Sequence, residues 1–201
     1  MARTIAKDHD DKRSRILSEA AEVFARDGIA RTSMNTVASA CGISKANIYH
    51  YYTSKDALVF DILDHYLSDL RNLVCGVDLA GLVPATQLET ILSTFLLAYE
   101  GMDHEHKIQS EGLPMLSEPQ QTTLKHYQRD LVRVVSDVLV RCAPDTFAQD
   151  KSGLRDITMS IFGILNWYYM WNRKATKVER IAYAKLTAGL ILDGVRSQPQ
   201  R

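Results

Sequence analysis

Lys45, Asn47, Tyr49 and His50 are the side chains of this sequence best suited to grip another molecule through directed bonds. An ammonium, a carboxamide, a phenol and an imidazole on one short helix bond well to phosphate oxygens and to the edges of bases. Other chemistry has less support. His104-Glu105-His106 offers metal-ligand types, but residues two apart on a helix point to different faces and no third ligand is suitably spaced, so a solvated charged loop is the favoured reading. The sequence lacks a Gly-rich phosphate cradle, a Gly-x-Ser-x-Gly elbow and a His-Glu-x-x-His pair. No catalytic residue, metal site or cofactor is therefore assigned, and nothing supports an enzyme.

The elements around those four residues are short and sharply punctuated. Ile16, Ala20, Val23 and Phe24 share one stripe of an amphipathic helix over residues 11–27, which Gly28 closes. Ser33 is placed to cap a second helix, Met34 to Cys41, ended by Gly42. Ser44 caps a third over residues 45–51, and Thr53 and Ser54 cap a fourth running to about Cys75. Ala38 is small enough for two helices to cross closely, Gly42 can take the positive φ of a tight turn, and Ile43 and Ile48 supply buried contacts. That is the grammar of a helix-turn-helix, with Lys45, Asn47, Tyr49 and His50 on its outer face.

The remaining composition is that of an ordinary globular chain. With 201 residues, 46% hydrophobic and 24% charged, it can bury a core without staples and is neither disordered nor low in complexity. Cys41, Cys75 and Cys142 are odd in number and far apart, which suits a reduced, cytoplasmic protein, and Cys41 reads as a packing residue. No secretory signal is expected from the mixed charges of residues 1–11, and the apolar stretch 157–171 is shorter than a membrane span. Net charge is zero, yet residues 1–55 carry 9 basic and 6 acidic side chains against 15 and 18 in residues 56–201. Helical periodicity continues over residues 85–102, 120–142, 154–172 and 177–196, with short helical pieces and loop over 103–119 and a loop over 143–153. No segment alternates with period two, so the fold expected is all-α.

The run Gly42-Ile43-Ser44-Lys45-Ala46-Asn47-Ile48-Tyr49-His50-Tyr51-Tyr52-Thr53-Ser54-Lys55-Asp56-Ala57-Leu58 resembles the recognition-helix signature of the tetracycline-repressor (TetR) family of bacterial transcription regulators. Residues 16–28 and 32–38 are similar to that family's first two helices, and Tyr52 stands where the family usually has Phe. The resemblance implies a DNA-binding domain over residues 1–54, then a connecting helix with a ligand-binding and dimerisation domain over 55–201. It further implies a homodimeric repressor that holds a near-palindromic double-stranded operator and releases it when a small-molecule effector binds. Carried across position by position, it puts Lys45, Ala46 and Asn47 at the start of the recognition helix, where bases are touched, with Ser44 before them among the DNA-binding residues. Tyr49 and His50 fall where backbone or thymine methyls are met, and Thr32, Ser33, Thr36 and Lys55 fall where phosphates are met. Arg3, Lys7, Lys12, Arg13 and Arg15 form either an additional phosphate-binding arm or a solvated tail.

The C-terminal body is read from its residue types. Tyr66, Phe95, Tyr99, Met102, Tyr127, Trp167 and Met170 are candidates to line an apolar cavity, against the alternative of an ordinary core. Asn166-Trp167-Tyr168-Tyr169-Met170-Trp171 resembles a segment of family members linked to fatty-acid, steroid or aromatic acyl-coenzyme A catabolism, which implies an acyl-CoA or fatty acid effector. Ile161, Ile164, Leu165, Leu186, Leu190 and Ile191, with small Gly163, Ala182, Ala188, Gly189 and Gly194 between them, are candidates for a two-fold interface. A second reading keeps the DNA-binding head and makes the body a platform for a protein partner.

Overall fold

The computed structural model describes the backbone of residues 2–196 and the side chains of residues 11–195. Ten α-helices follow one another among the described residues: α1 (Ala2–Asp27), α2 (Met34–Ala40), α3 (Lys45–Tyr51), α4 (Lys55–Cys75), α5 (Pro84–Ala98), α6 (Asp103–Gly112), α7 (Glu118–Cys142), α8 (Pro144–Gln149), α9 (Lys151–Trp171) and α10 (Lys177–Arg196). A 3-10 turn, Leu113–Met115, joins α6 to α7, and among the described residues no strand forms. None of the described helices is long and apolar enough to cross a membrane.

The helices fall into two compact units. The first holds the residues up to Leu67 together with His104–Lys125; the second holds Ser68–Asp103 and the residues from His126 on. The first thus reaches beyond the 1–54 head expected from sequence, and α6 explains the addition. Its last residue, Gly112, is buried so closely that a Cβ there would stand 3.0 Å from Val59, 3.1 Å from Leu63 and 3.3 Å from Ile29. Lys107 Nζ donates to the carbonyl of Ala25, one of the last carbonyls of α1, 2.5 Å away.

Several boundaries differ from expectation for local reasons. α5 stops at Ala98 instead of running to 102, because the chain turns at Gly101 with φ +80°. The polar stretch 103–112 is a full helix that turns Ile108 and Gly112 inward. The expected loop 143–153 contains α8, begun by Pro144, and α9 starts at Lys151 because the Asp150 carboxylate accepts the Gly153 N–H at 2.7 Å.

In the second unit α10 packs along α5 through fully buried Ala184 and Ala188, whose small side chains let the helices approach. The start of α10 is a capping box: Thr176 N–H and Oγ1 donate to Glu179 Oε2 at 2.7 and 2.8 Å, and Glu179 N–H donates back to Thr176 Oγ1 at 3.3 Å. The bond from the Thr176 backbone, then that from its hydroxyl, hold the Glu179 carboxyl below the usual range.

One turn further on, Arg180 is 98% buried, unusual for a group that keeps its charge. Its Nε donates to Ala175 O at 3.2 Å, its Nη1 to Leu96 O at 3.0 Å, and its guanidinium lies 5.7 Å from the centre of the Tyr168 ring. Leu96 O belongs to the C-terminal turn of α5, where partial negative charge collects, so the cation both caps that helix and ties it to the 172–175 turn. Replacing it strands two buried carbonyls beside a void. Arg180→Ala is expected to cost about 3 kcal/mol of stability, measured by urea unfolding; a loss below about 1 kcal/mol would show that Leu96 and Ala175 find other partners.

Candidate nucleic-acid interface

The outward face of α3 exists because everything before it is pinned. α1 buries Ile16, Ala20, Val23 and Phe24 and ends at Gly28, φ +84°, whose N–H donates to Phe24 O at 2.9 Å. Ser33 Oγ caps α2 by accepting the Thr36 N–H at 3.1 Å and lies 2.9 Å from Thr36 Oγ1. α2 then ends in a Schellman motif: Gly42 N–H donates to Ser39 O at 3.1 Å and Ile43 N–H to Ala38 O at 3.0 Å, with Gly42 at φ +66°. Arg15 Nη2 takes up the leftover Cys41 carbonyl at 2.8 Å. Two residues after Gly42, Ser44 Oγ accepts the Asn47 N–H at 3.1 Å, and α3 begins.

α3 has seven residues and fully buries Ile48 alone. Lys45, Ala46, Asn47, Tyr49 and His50 are exposed on it, as are Ser33 and Thr36 on the cap of α2 and Ser44 on its own. At its C-terminal end, Tyr52 N–H donates to Ile48 O, and the buried Tyr52 hydroxyl donates to Asp61 Oδ2 at 2.6 Å. Asp61, on α4, also accepts Arg13 Nε at 3.1 Å and Nη2 at 2.5 Å from α1. One carboxylate thus joins three helices. Burial, then the bond to Asp61 and its negative charge, push the Tyr52 phenol well above its ordinary pKa, so it remains a donor across the physiological range.

Two expected phosphate contacts turn out to serve the fold. Thr32 is buried and its Oγ1 donates to Gly28 O at 2.8 Å. Lys55 Nζ donates to the carbonyls of Ile29 at 2.8 Å, Ala30 at 3.3 Å and Thr32 at 3.1 Å, which uses all three of its protons. Of the proposed basic arm, Arg13 and Arg15 are engaged as above, Lys12 is exposed, and the Arg3 and Lys7 side chains lie outside the described residues. Sequence reading missed Asp61 altogether. Its signal was the extra hydroxyl at Tyr52, which needs a partner when buried.

The other candidate residues are scattered. Tyr66, in the first unit, is buried with its hydroxyl 3.0 Å from His106 Nδ1, which gives one histidine of the His104-Glu105-His106 run a place in the packing. No group of three metal-ligating side chains occurs among the described residues. In the second unit Phe95 meets Tyr99 and Phe162 edge-on, and Tyr99 donates to Asn166 Oδ1 at 2.9 Å. Burial holds the Tyr99 phenol in its neutral form far above its ordinary pKa. Tyr127 is half-buried, whereas Met102, Trp167 and Met170 are exposed. Ile161 and Leu165, expected at an interface between chains, are fully buried within their own chain, so they belong to its core. Ile164 and Ile191 are half-buried, and Leu186 and Leu190 are exposed.

Comparison with known proteins agrees with this geometry. Residues 16–62 match the family model of bacterial regulatory proteins, tetR family, and residues 81–195 match that of the tetracyclin repressor-like C-terminal domain. A TetR-family transcriptional regulator from Bordetella parapertussis 12822 is similar in structure at TM-score 0.83 and 33% identity, over 94% of this chain and 98% of that one. The HTH-type transcriptional repressor KstR2 of Rhodococcus jostii (strain RHA1) is 27% identical over 195 residues, 92% of either chain. AibR, whose structure is in complex with isovaleryl coenzyme A and operator DNA, shares the fold at TM-score 0.72 and 19% identity, over 89% of this chain and 97% of that one.

The turn before α3 makes a direct test of local strain. A Cβ at Gly42 would meet nothing within 4 Å, so substitution there costs only the left-handed backbone. Gly42→Ala is expected to lower stability by about 1 kcal/mol, Gly42→Asn by less and Gly42→Val by more. Thermal unfolding ranks the three, and equal melting temperatures would mean that the turn relaxes to negative φ.

Proposed function

Because the chain belongs to the TetR family of bacterial transcription regulators, we propose that it is a homodimeric repressor that holds a near-palindromic operator through α3 of each subunit and releases it when a small effector binds the C-terminal body. The observation that carries this reading is a seven-residue helix with one buried side chain and Lys45, Ala46, Asn47, Tyr49 and His50 facing outward. A helix so exposed contributes little to a core and has the width and chemistry of a major-groove reader. Lys45, Ala46 and Asn47 read bases, Tyr49 and His50 meet backbone or thymine methyls, and the hydroxyls of Ser33, Thr36 and Ser44 meet phosphates.

A second copy of the chain is supported by two rows of exposed residues at four-residue spacing. Met159, Gly163, Trp167 and Trp171 form one on α9; Val178, Ala182, Leu186, Leu190 and Gly194 form the other on α10. Rows at that spacing interdigitate in the commonest class of helix packing, and Gly163, Gly189 and Gly194 leave open space for a facing helix. Two-fold pairing would set the two α3 helices to half-sites about 34 Å apart or a multiple of it.

For the effector we favour an acyl-CoA or a fatty acid. The support is the aromatic run Asn166–Trp171 together with likeness to AibR, a protein seen with isovaleryl coenzyme A. Phe95, Tyr99, Met102, Tyr127, Trp167 and Met170 of the second unit are the side chains proposed to meet it.

Selection of bound duplexes from a random library at fixed salt is expected to return a palindrome. A non-palindromic motif would speak against the dimer, and no motif against the reading as a whole. Lys45→Ala should bind the selected duplex about tenfold more weakly and, if the ammonium meets phosphate as well as base, reduce the salt slope by about one. Titration with acyl thioesters that gives neither heat nor release from DNA would exclude that effector class and favour a protein-partner platform.

A further inference from the structure

The residue that follows α3 is bonded in a way its role in packing does not require. Phenylalanine would fill the same space, yet Tyr52 carries a hydroxyl buried against Asp61 Oδ2 at 2.6 Å. The same oxygen accepts Arg13 Nε, while Arg13 Nη2 takes the other, so the carboxylate is held in a fork from one side and by the phenol from the other. Asp61 retains 16% exposure and Arg13 50%, so water competes with the fork more readily than with the 2.6 Å bond from the buried phenol.

We propose that Tyr52, Asp61 and Arg13 form a positioning clamp that sets the aim of α3 in the groove, and so governs base discrimination more than affinity for DNA as such. This rests on the reading of α3 as the DNA-reading helix. The geometry carries the rest of the argument. α3 is about 10 Å long, and its ends are held differently. The N-terminal end is fixed by backbone bonds of the Gly42 turn and by the Ser44 cap. The C-terminal end is fixed by Ile48 packing and by the clamp. Loosening the clamp lets α3 pivot about the turn, and a pivot of about 10° carries the far end through nearly 2 Å. Contacts to phosphates, made by long side chains and dominated by charge, tolerate such a shift; hydrogen bonds and methyl contacts to base edges do not. The displacement is small at Lys45 and largest at Tyr49 and His50, so the loss of discrimination has a predicted location.

None of the three clamp residues touches DNA in this proposal, and Tyr52→Phe keeps the packing volume, so the variant is expected to fold. Dissociation constants for the selected duplex and for an unrelated one, at one salt concentration, provide the first readout. Tyr52→Phe should weaken the selected duplex about five- to tenfold while changing the unrelated one less than about twofold, with the salt slope preserved. Asp61→Asn should do the same, and the double variant should be little worse than Asp61→Asn alone, because both remove one coupled interaction. The second readout is a library selection with Tyr52→Phe, which should lose base preference at the positions nearest the C-terminal end of α3 and keep it nearest Lys45. Parallel weakening of both duplexes together with a lowered melting temperature would reduce the clamp to a stability element and overturn the proposal. So would an unchanged ratio, or a uniform loss of preference across the half-site. A wild-type chain that prefers no duplex would overturn the DNA reading itself, an outcome distinct from a wild type that discriminates and a Tyr52→Phe that discriminates equally.

Discussion

A helix of seven residues does not stand alone in water, since nucleation consumes most of the bonds so short a segment can form. The N-terminal unit is organised around that constraint. α3 is needed outside the core, where its polar face is accessible, so the hydrophobic burial that holds other helices is denied to it. What replaces burial is a chain of local restraints: a Schellman turn before it, Ser44 at its start, Ile48 beneath it and the Tyr52–Asp61–Arg13 group at its end. Each is worth on the order of 1 kcal/mol, and they act on different degrees of freedom. The result is a helix fixed in place with most of its side chains still available.

The second unit solves a different problem with a buried charge. At the end of leucine-rich α5 the carbonyls of Phe95 and Leu97 accept backbone N–H groups of Tyr99 and Glu100, and the carbonyl of buried Leu96 takes its bond from outside the helix end. A guanidinium from α10 supplies the donors, and its cost of burial is offset by two carbonyls and the Tyr168 face, without a carboxylate. Breaking that arrangement leaves both partners unsatisfied, which makes it a strong specifier of how α5, α9 and α10 meet. The outward faces of α9 and α10 can then stay apolar and exposed at Trp167, Trp171, Leu186 and Leu190 without endangering the unit's own packing.

Much of this was legible in the sequence because it is written over short distances. Caps at Ser33, Ser44 and Ser54, positive-φ glycines at 28 and 42, and helical periodicity in α4 and α10 depend on residues within a turn of each other, and the structure places them as expected. The failures share a cause as well. Thr32 and Lys55 have the residue types of phosphate contacts, and only the path of the chain from Ile29 to Thr32 turns them inward. The stretch expected as short helical pieces and loop forms one helix, α6, whose end is set by Val59, Leu63 and Ile29 brought against Gly112 from remote positions. Ile161 and Leu165 share apolar character with Ile164 and Leu186, and periodicity alone does not say which of two apolar faces meets the chain itself. The core of the second unit and its outer face were confused for that reason.

The distribution of charge bears on how such a head would hold DNA. Its basic excess looks like an electrostatic footprint, yet the structure commits many of those cations to internal partners: Arg13 to Asp61, Arg15 to Cys41 O, Arg26 to Asp27, Arg31 to Asp27 O and Lys55 to three carbonyls. These groups still raise the local potential, but over a screening length of about 8 Å they attract phosphate without forming a directed bond to it. Among the described residues of the proposed interface, directed contact would fall to Lys45 and to hydroxyl, amide and imidazole groups, which release few counterions. A chain of zero net charge that reads DNA in this way depends on fit more than on attraction, and fit is a property of where α3 points. On the proposed reading, the cations that hold the head in shape would add to its attraction for DNA without directing it.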